Sequence, residues 1–132
     1  MLFHSYSWDR LNNLSSRTDL NGDPLTGAIS ETFKYEDGLN RLTRYTVSAT
    51  AIPNGKREVT LQYNALGMLL SKSDVGAYSY GPQGPGQVRP HALQTVDGST
   101  LTRYSYDDNG NLTSASDGKY RNIAYTSFNL PD

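Results

Sequence analysis

One pattern returns four times along this 132-residue chain: two large residues two apart, then an acid or amide, then a Gly or Asn, and finally a Leu. The stretches are Tyr6-Ser7-Trp8-Asp9-Arg10-Leu11-Asn12-Asn13-Leu14, Phe33-Lys34-Tyr35-Glu36-Asp37-Gly38-Leu39-Asn40-Arg41-Leu42, Leu61-Gln62-Tyr63-Asn64-Ala65-Leu66-Gly67-Met68-Leu69 and Tyr104-Ser105-Tyr106-Asp107-Asp108-Asn109-Gly110-Asn111-Leu112. The second is one residue longer than the others. Self-similarity of this kind marks an array of small supersecondary units and constrains the fold before composition does.

Each column has a physical reading. A spacing of two puts Tyr6 with Trp8, Phe33 with Tyr35, Leu61 with Tyr63, and Tyr104 with Tyr106 on one face of a strand. Asp9, Glu36, Asn64 and Asp107 follow, and a short acid or amide accepts backbone N–H groups where a strand gives way to a turn. Asn12, Asn40, Gly67 and Gly110 are the residue types that reach positive φ most cheaply, which predicts a left-handed turn position. Leu14, Leu42, Leu69 and Leu112 then open a returning strand and pack against the aromatic pair across a hairpin. The predicted unit is a strand, a tight turn and a strand.

Tyr35 stands 27 residues after Trp8 and Tyr63 28 after Tyr35, whereas the next gap, of 43 residues to Tyr106, holds a weaker copy at Tyr78-Ser79-Tyr80-Gly81. Turn dipeptides at Asn21-Gly22, Asp37-Gly38, Asn54-Gly55, Asp97-Gly98, Asn109-Gly110 and Asp117-Gly118 separate apolar or alternating runs. Usual strand and loop lengths then predict an all-β chain of roughly ten short antiparallel strands, with helix minor. Gly81 to Pro90, rich in Gly and Pro, excludes helix interior and central strand and predicts a loop. The same pattern stands on both sides of it, so residues 1–132 are expected to form a single repeat region rather than two linked domains.

Lys+Arg 12 against Asp+Glu 13, with the basic residues spread from Arg10 to Arg121, leaves no stripe for a run of phosphates, so nucleic acid is not an expected partner. Without cysteine there is no disulfide, thiolate zinc site or thiol nucleophile. The N-terminal residues do not read as a signal peptide, and no segment approaches the roughly 20 apolar residues of a membrane helix.

With these residues in view, Tyr106-Asp107-Asp108-Asn109-Gly110-Asn111-Leu112-Thr113 closely resembles the YD repeat of Rhs proteins, and the other copies resemble weaker versions. Tyr78-Ser79-Tyr80-Gly81 with Pro90-His91-Ala92-Leu93, and the closing Ile123-Ala124-Tyr125-Thr126-Ser127-Phe128-Asn129-Leu130-Pro131, are similar to further segments of that family, so the resemblance runs from about Tyr6 to Pro131. Trp8, Asn12, Glu36, Asn40 and Asn64 depart from the family's usual Tyr, Gly or Asp. The resemblance implies a curved strip of β-hairpins, part of a hollow shell that in bacterial polymorphic toxins encloses a C-terminal toxin. Such shells belong to much longer secreted or surface-delivered proteins, so the chain is expected to be a fragment or a remnant. Its implied partners are the remaining shell and the cargo.

His4 and His91 are the only histidines, and no Gly-x-Ser-x-Gly elbow presents a serine to either, so no catalytic residue is assigned. Asp19-Leu20-Asn21-Gly22-Asp23 begins like a calcium loop, but Pro24 stands where the loop needs Gly and Ser30 where it needs a bidentate acid; Asp107 to Asn111 fails likewise. Gly81 to Gly86 is not followed by Gly-Lys-Ser/Thr, and the neighbouring acids Glu36/Asp37 and Asp107/Asp108 read as turn acids. No metal or cofactor is expected. The 10 tyrosines and single tryptophan leave one functional alternative, stacking on carbohydrate, although recurrence of the aromatic pairs favours packing between repeats.

Overall fold

A computed structural model describes residues 4–23, 27–35, 38–82, 90–117, 123–128 and 130–131, the side chains of Gly22 and Asp23 excepted. The chain is all-β, with ten strands: β1 (His4–Trp8), β2 (Leu14–Asp23), β3 (Gly27–Tyr35), β4 (Leu42–Ser48), β5 (Lys56–Tyr63), β6 (Leu69–Lys72), β7 (Gly76–Tyr80), β8 (Leu93–Asp97), β9 (Leu101–Tyr106) and β10 (Leu112–Ala115). Sheet order follows chain order, and the pairs are antiparallel. Among the described residues the one helical element is a single 3₁₀ turn, Pro53–Gly55.

Backbone contacts gather into two units, Met1–Leu61 and Gln62–Asp132. In the first, β3 pairs with β2 on one side and β4 on the other, placing Thr32 opposite Ser16 and Thr46. Cross-strand charge pairing adds to this ladder, since Arg17 and Glu31 face each other in the register and form an ion pair. In the second unit the alternation is cleanest along β7 and the end of β9. Tyr78, Tyr80, Tyr104 and Tyr106 are half-buried, while the intervening Ser79 and Ser105 are exposed. Tyrosine suits such a surface because its ring packs while its hydroxyl keeps a polar partner.

Little of the described chain is deeply buried. Val59 in the first unit and Val96 and Ala115 in the second are the buried hydrophobic residues described, and Thr102, opposite Val96 across β8 and β9, is the buried polar one. Cohesion therefore rests on ladders and half-buried aromatic faces instead of a thick core.

One turn dipeptide behaves differently from the sequence expectation. Asn21-Gly22 lies inside β2; the register breaks between Asp19 and Asp23, and the reversal comes later, between Asp23 and Gly27. The Asn21 N–H donates to Asp19 Oδ1 at 3.0 Å, a local bend that does not stop the strand. Asn54-Gly55 does turn the chain: Gly55 N–H reaches Ile52 O at 2.7 Å with Asn54 at φ 61°, and Pro53 occupies the preceding position that favours its fixed φ. Asp97-Gly98 falls where β8 ends, whereas Asp37-Gly38 and Asp117-Gly118 lie partly outside the described residues. Of the Gly81–Pro90 loop, Gly81, Pro82 and Pro90 are described.

Glycine is required by contact at the β7/β8 end. A Cβ on Gly76, at φ +138°, would lie 2.1 Å from Asp97 O, and one on Gly98 would lie 1.9 Å from Val75 O. Gly67 is also at positive φ, but a Cβ there meets nothing within 4 Å. Gly76→Ala is therefore expected to destabilise the fold by about 2–3 kcal/mol, and Gly67→Ala by about 1–2 kcal/mol from backbone strain alone. Urea unfolding of the two variants beside the parent checks the order.

Candidate functional site

The turn after each aromatic pair is built the same way wherever all of it is described. Asp9 Oδ1 accepts the N–H groups of Leu11 (2.8 Å) and Asn13 (2.9 Å). Asn64 Oδ1 accepts those of Leu66 and Met68, both at 2.9 Å. Asp107 Oδ1 accepts those of Asn109 (3.0 Å) and Asn111 (2.8 Å). The main chain repeats as well: the acceptor residue donates its N–H to the carbonyl four residues on and accepts the N–H three residues on, at 2.9–3.2 Å in all three turns. This is a three-residue hairpin loop, a type I turn closed by a left-handed residue.

That left-handed residue is where the sequence places it. Asn12 (φ 64°), Asn40 (φ 55°), Gly67 (φ 83°) and Gly110 (φ 89°) all have positive φ, each two residues before the Leu. Leu14, Leu42, Leu69 and Leu112 then open β2, β4, β6 and β10. Trp8 faces Leu14, Tyr35 faces Leu42 and Tyr106 faces Leu112. Phe33, Tyr63 and Tyr104 take the remaining aromatic places on β3, β5 and β9, all half-buried. Glu36, the turn acid of the second copy, lies outside the described residues.

Three features had escaped the sequence reading. The first is a bulge after the Leu: Ser7 faces Ser16, Lys34 faces Arg44 and Ser105 faces Ser114, so Ser15, Thr43 and Thr113 are extra residues on the returning strand. Thr43 Oγ1 donates back to Lys34 O at 3.3 Å. The weaker copy shares the bulge, with Tyr80 facing Leu93 and Ser79 facing Thr95. Its Leu is Leu93, which the sequence already grouped with Tyr78-Ser79-Tyr80-Gly81 across the long loop between Gly81 and Pro90. A Ser, Thr or Gln directly after the Leu was the available signal.

The second is a hydrogen bond between consecutive copies. In the second unit, Tyr80 Oη donates to Leu69 O (2.9 Å), Tyr106 Oη to Leu93 O (2.7 Å) and Tyr125 Oη to Leu112 O (2.8 Å). In these three copies the second aromatic thus holds the leucine carbonyl of the copy before it. Burial pushes the Tyr80 and Tyr106 hydroxyls above the ordinary tyrosine range, which keeps them protonated and able to donate.

The third is a further copy of the turn. Thr126 N–H reaches Leu130 O at 2.9 Å, Leu130 N–H reaches Thr126 Oγ1 at 3.3 Å, and Tyr125 bridges to Pro131. Thr126 stands in the acceptor column and Pro131 in the leucine column; Asn129, in the left-handed column, lies outside the described residues. Threonine and proline in place of acid and leucine disguised it.

Three of the turns carry an exposed leucine at the tip, Leu11, Leu39 and Leu66 at 66%, 66% and 67% exposed, which turn geometry does not demand, whereas the fourth carries Asp108 and Asn109 there. The two histidines and the turn acid Asp107 stand apart from one another. His4 Nδ1 sits 4.0 Å from Asp19 Oδ1, His91 Nδ1 lies 3.2 Å from Met68 Sδ, and Asp107 is occupied by its own turn. β1 carries the most open aromatic pair, with Tyr6 50% and Trp8 59% exposed and their ring centroids 6.0 Å apart. Beside it a groove of about 250 Å³ is lined by His4, Tyr6, Arg17, Asp19, Ile29 and Glu31.

No family model matches the chain, and no curated protein matches it as a relative.

Acid should loosen the turns. The side-chain amides of Asn13 and Asn111, together with backbone N–H groups, hold the carboxyls of Asp9 and Asp107 below the ordinary aspartate range. A carboxyl that titrates lower folded than unfolded stabilises the fold above about pH 4 and loses that contribution as pH falls through its folded value. Asp9→Asn with Asp107→Asn keeps the acceptor oxygen, as Asn64 does, and removes the ionisation. Thermal melts between pH 7 and about 2 are expected to fall less steeply for the double variant than for the parent.

Proposed function

We propose that this chain is a structural segment of an Rhs/YD-repeat protein, contributing to a hollow β-shell that encapsulates a C-terminal toxin and helps deliver it, with no catalytic role of its own. The sequence from Tyr106 to Thr113 supports the family. The observation that carries the architectural reading is the recurring contact between copies, Tyr80 to Leu69, Tyr106 to Leu93 and Tyr125 to Leu112. A contact made at successive copies can be extended by adding copies, as a shell wall requires. The partners are then the neighbouring repeats and the cargo, and the setting is a secreted or surface-delivered bacterial protein.

A second reading, carbohydrate binding, draws on the exposed Tyr6 and Trp8 rings beside the polar groove.

Two measurements separate these readings. In the parent protein, the domain that follows the repeats should resist limited proteolysis until the repeats are unfolded; digestion as fast as that of the free domain would overturn encapsulation. In the isolated chain, Tyr106→Phe is expected to cost about 1 kcal/mol by urea unfolding, because the Leu93 carbonyl loses its donor, whereas Tyr6→Phe should change stability little. Saturable glycan binding abolished by Trp8→Ala would favour the second reading.

A further inference from the structure

In the second unit, the turn between β6 and β7, the turn between β8 and β9 and the segment just past β10 share one end of the sheet, because the strands are antiparallel neighbours. An open groove of about 360 Å³ lies among them. Asp74 comes from the first segment, Ser99 and Thr100 from the second and Asp117 from the third, while Thr102 and Tyr104 enter from β9. Carboxylates and hydroxyls thus supply the polar side chains, and no Arg, Lys, His, Asn or Gln stands among the described lining residues.

Thr102 is what a ligand would explain. It is 8% exposed and lies opposite Val96 across β8 and β9. Less buried strand hydroxyls are paired, Thr18 with Ser30, Thr43 with Lys34 O and Ser71 with Gln62. The Thr102 hydroxyl has no hydrogen-bond partner among the described residues. Since no unpartnered side-chain oxygen of those residues is sealed from solvent, this one opens into the groove that Thr102 lines. A polar atom held at such depth costs stability unless something meets it.

We propose that this groove binds a primary alkylammonium group, as carried by a lysine side chain or a small free amine. The site goes beyond the architectural reading and does not depend on it. An ammonium has three N–H donors and no acceptor, which matches a lining of carboxylates and hydroxyl oxygens. Asp74, Asp117 and Thr102 supply the acceptors, and Tyr104 offers its ring to the charge and the alkyl chain. Asp74 already takes one ammonium, that of Lys72 at 2.7 Å. A metal ion is disfavoured, because no group of three or more His, Cys, Asp or Glu suited to one occurs among the described residues. A sugar needs donors as well as acceptors around its hydroxyls, and carboxylates donate nothing.

The amide signals of Ser99, Thr100 and Thr102 are followed by NMR while the chain is titrated with butylammonium chloride at constant ionic strength, with butan-1-ol as the uncharged control. Saturable shifts with the ammonium and none with the alcohol are expected. Thr102→Val, which keeps the shape and removes the hydroxyl, and Asp117→Asn, at an exposed position, should each weaken binding about tenfold. Nα-acetyl-lysine amide and cadaverine then distinguish the sources, and saturation by either supports the proposal. Shifts that fail to saturate, that the alcohol reproduces, or that keep full affinity in Asp117→Asn would overturn it. So would saturation of the same amides by glucose or calcium chloride and not by the ammonium.

Discussion

One side-chain oxygen holding two backbone N–H groups fixes the path of the hairpins that follow Trp8, Tyr63 and Tyr106. Asp9, Asn64 and Asp107 each bind the N–H groups two and four residues on. These bonds close the loop at a set length, which places a residue at positive φ and brings the leucine opposite the second aromatic. Since side chains alternate along a strand, a slip of one residue would turn each of them to the other face. The turn therefore decides which residues are half-buried, and the bulge after the leucine restores the alternation that the odd turn length would disturb.

From that register follows the way copies adhere. With Val59, Val96 and Ala115 as the buried hydrophobic residues described, core burial contributes only modestly. Tyr80, Tyr106 and Tyr125 instead each contribute a half-buried ring and a hydroxyl aimed at the preceding leucine carbonyl. Such a hydrogen bond is worth about 1 kcal/mol net, and its value lies as much in specificity, because it joins one copy to the next at a defined offset. Stability in this design comes from nearest neighbours, which explains how a repeat so thin persists along the chain.

Columns with local causes were legible in the sequence. Positive φ at Asn12, Asn40, Gly67 and Gly110, and strand starts at Leu14, Leu42, Leu69 and Leu112, follow from turn chemistry within a few residues. The features that escaped depend on partners distant in the chain. Tyr106 and Leu93 are 13 residues apart, and nothing local to either announces their hydrogen bond. Asn21-Gly22 failed for the opposite reason: its local signal was sound, but β2 continues through it to pair Asp23 with Gly27. The last copy was obscured because Thr126 and Pro131 keep the geometry while changing the chemistry. The open pair Tyr6 and Trp8 was visible as a motif, and its exposure was not, since exposure depends on which strand lies alongside.

The most direct test of this account is a solution NMR measurement of through-space contacts between tyrosine ring protons and leucine backbone protons. The account requires contacts from Tyr80 to Leu69, from Tyr106 to Leu93 and from Tyr125 to Leu112, all three in one folded species. Rings that contact only residues of their own hairpin would show that consecutive copies are not joined as described, and would contradict the claim that the tyrosine-to-leucine bond builds the array.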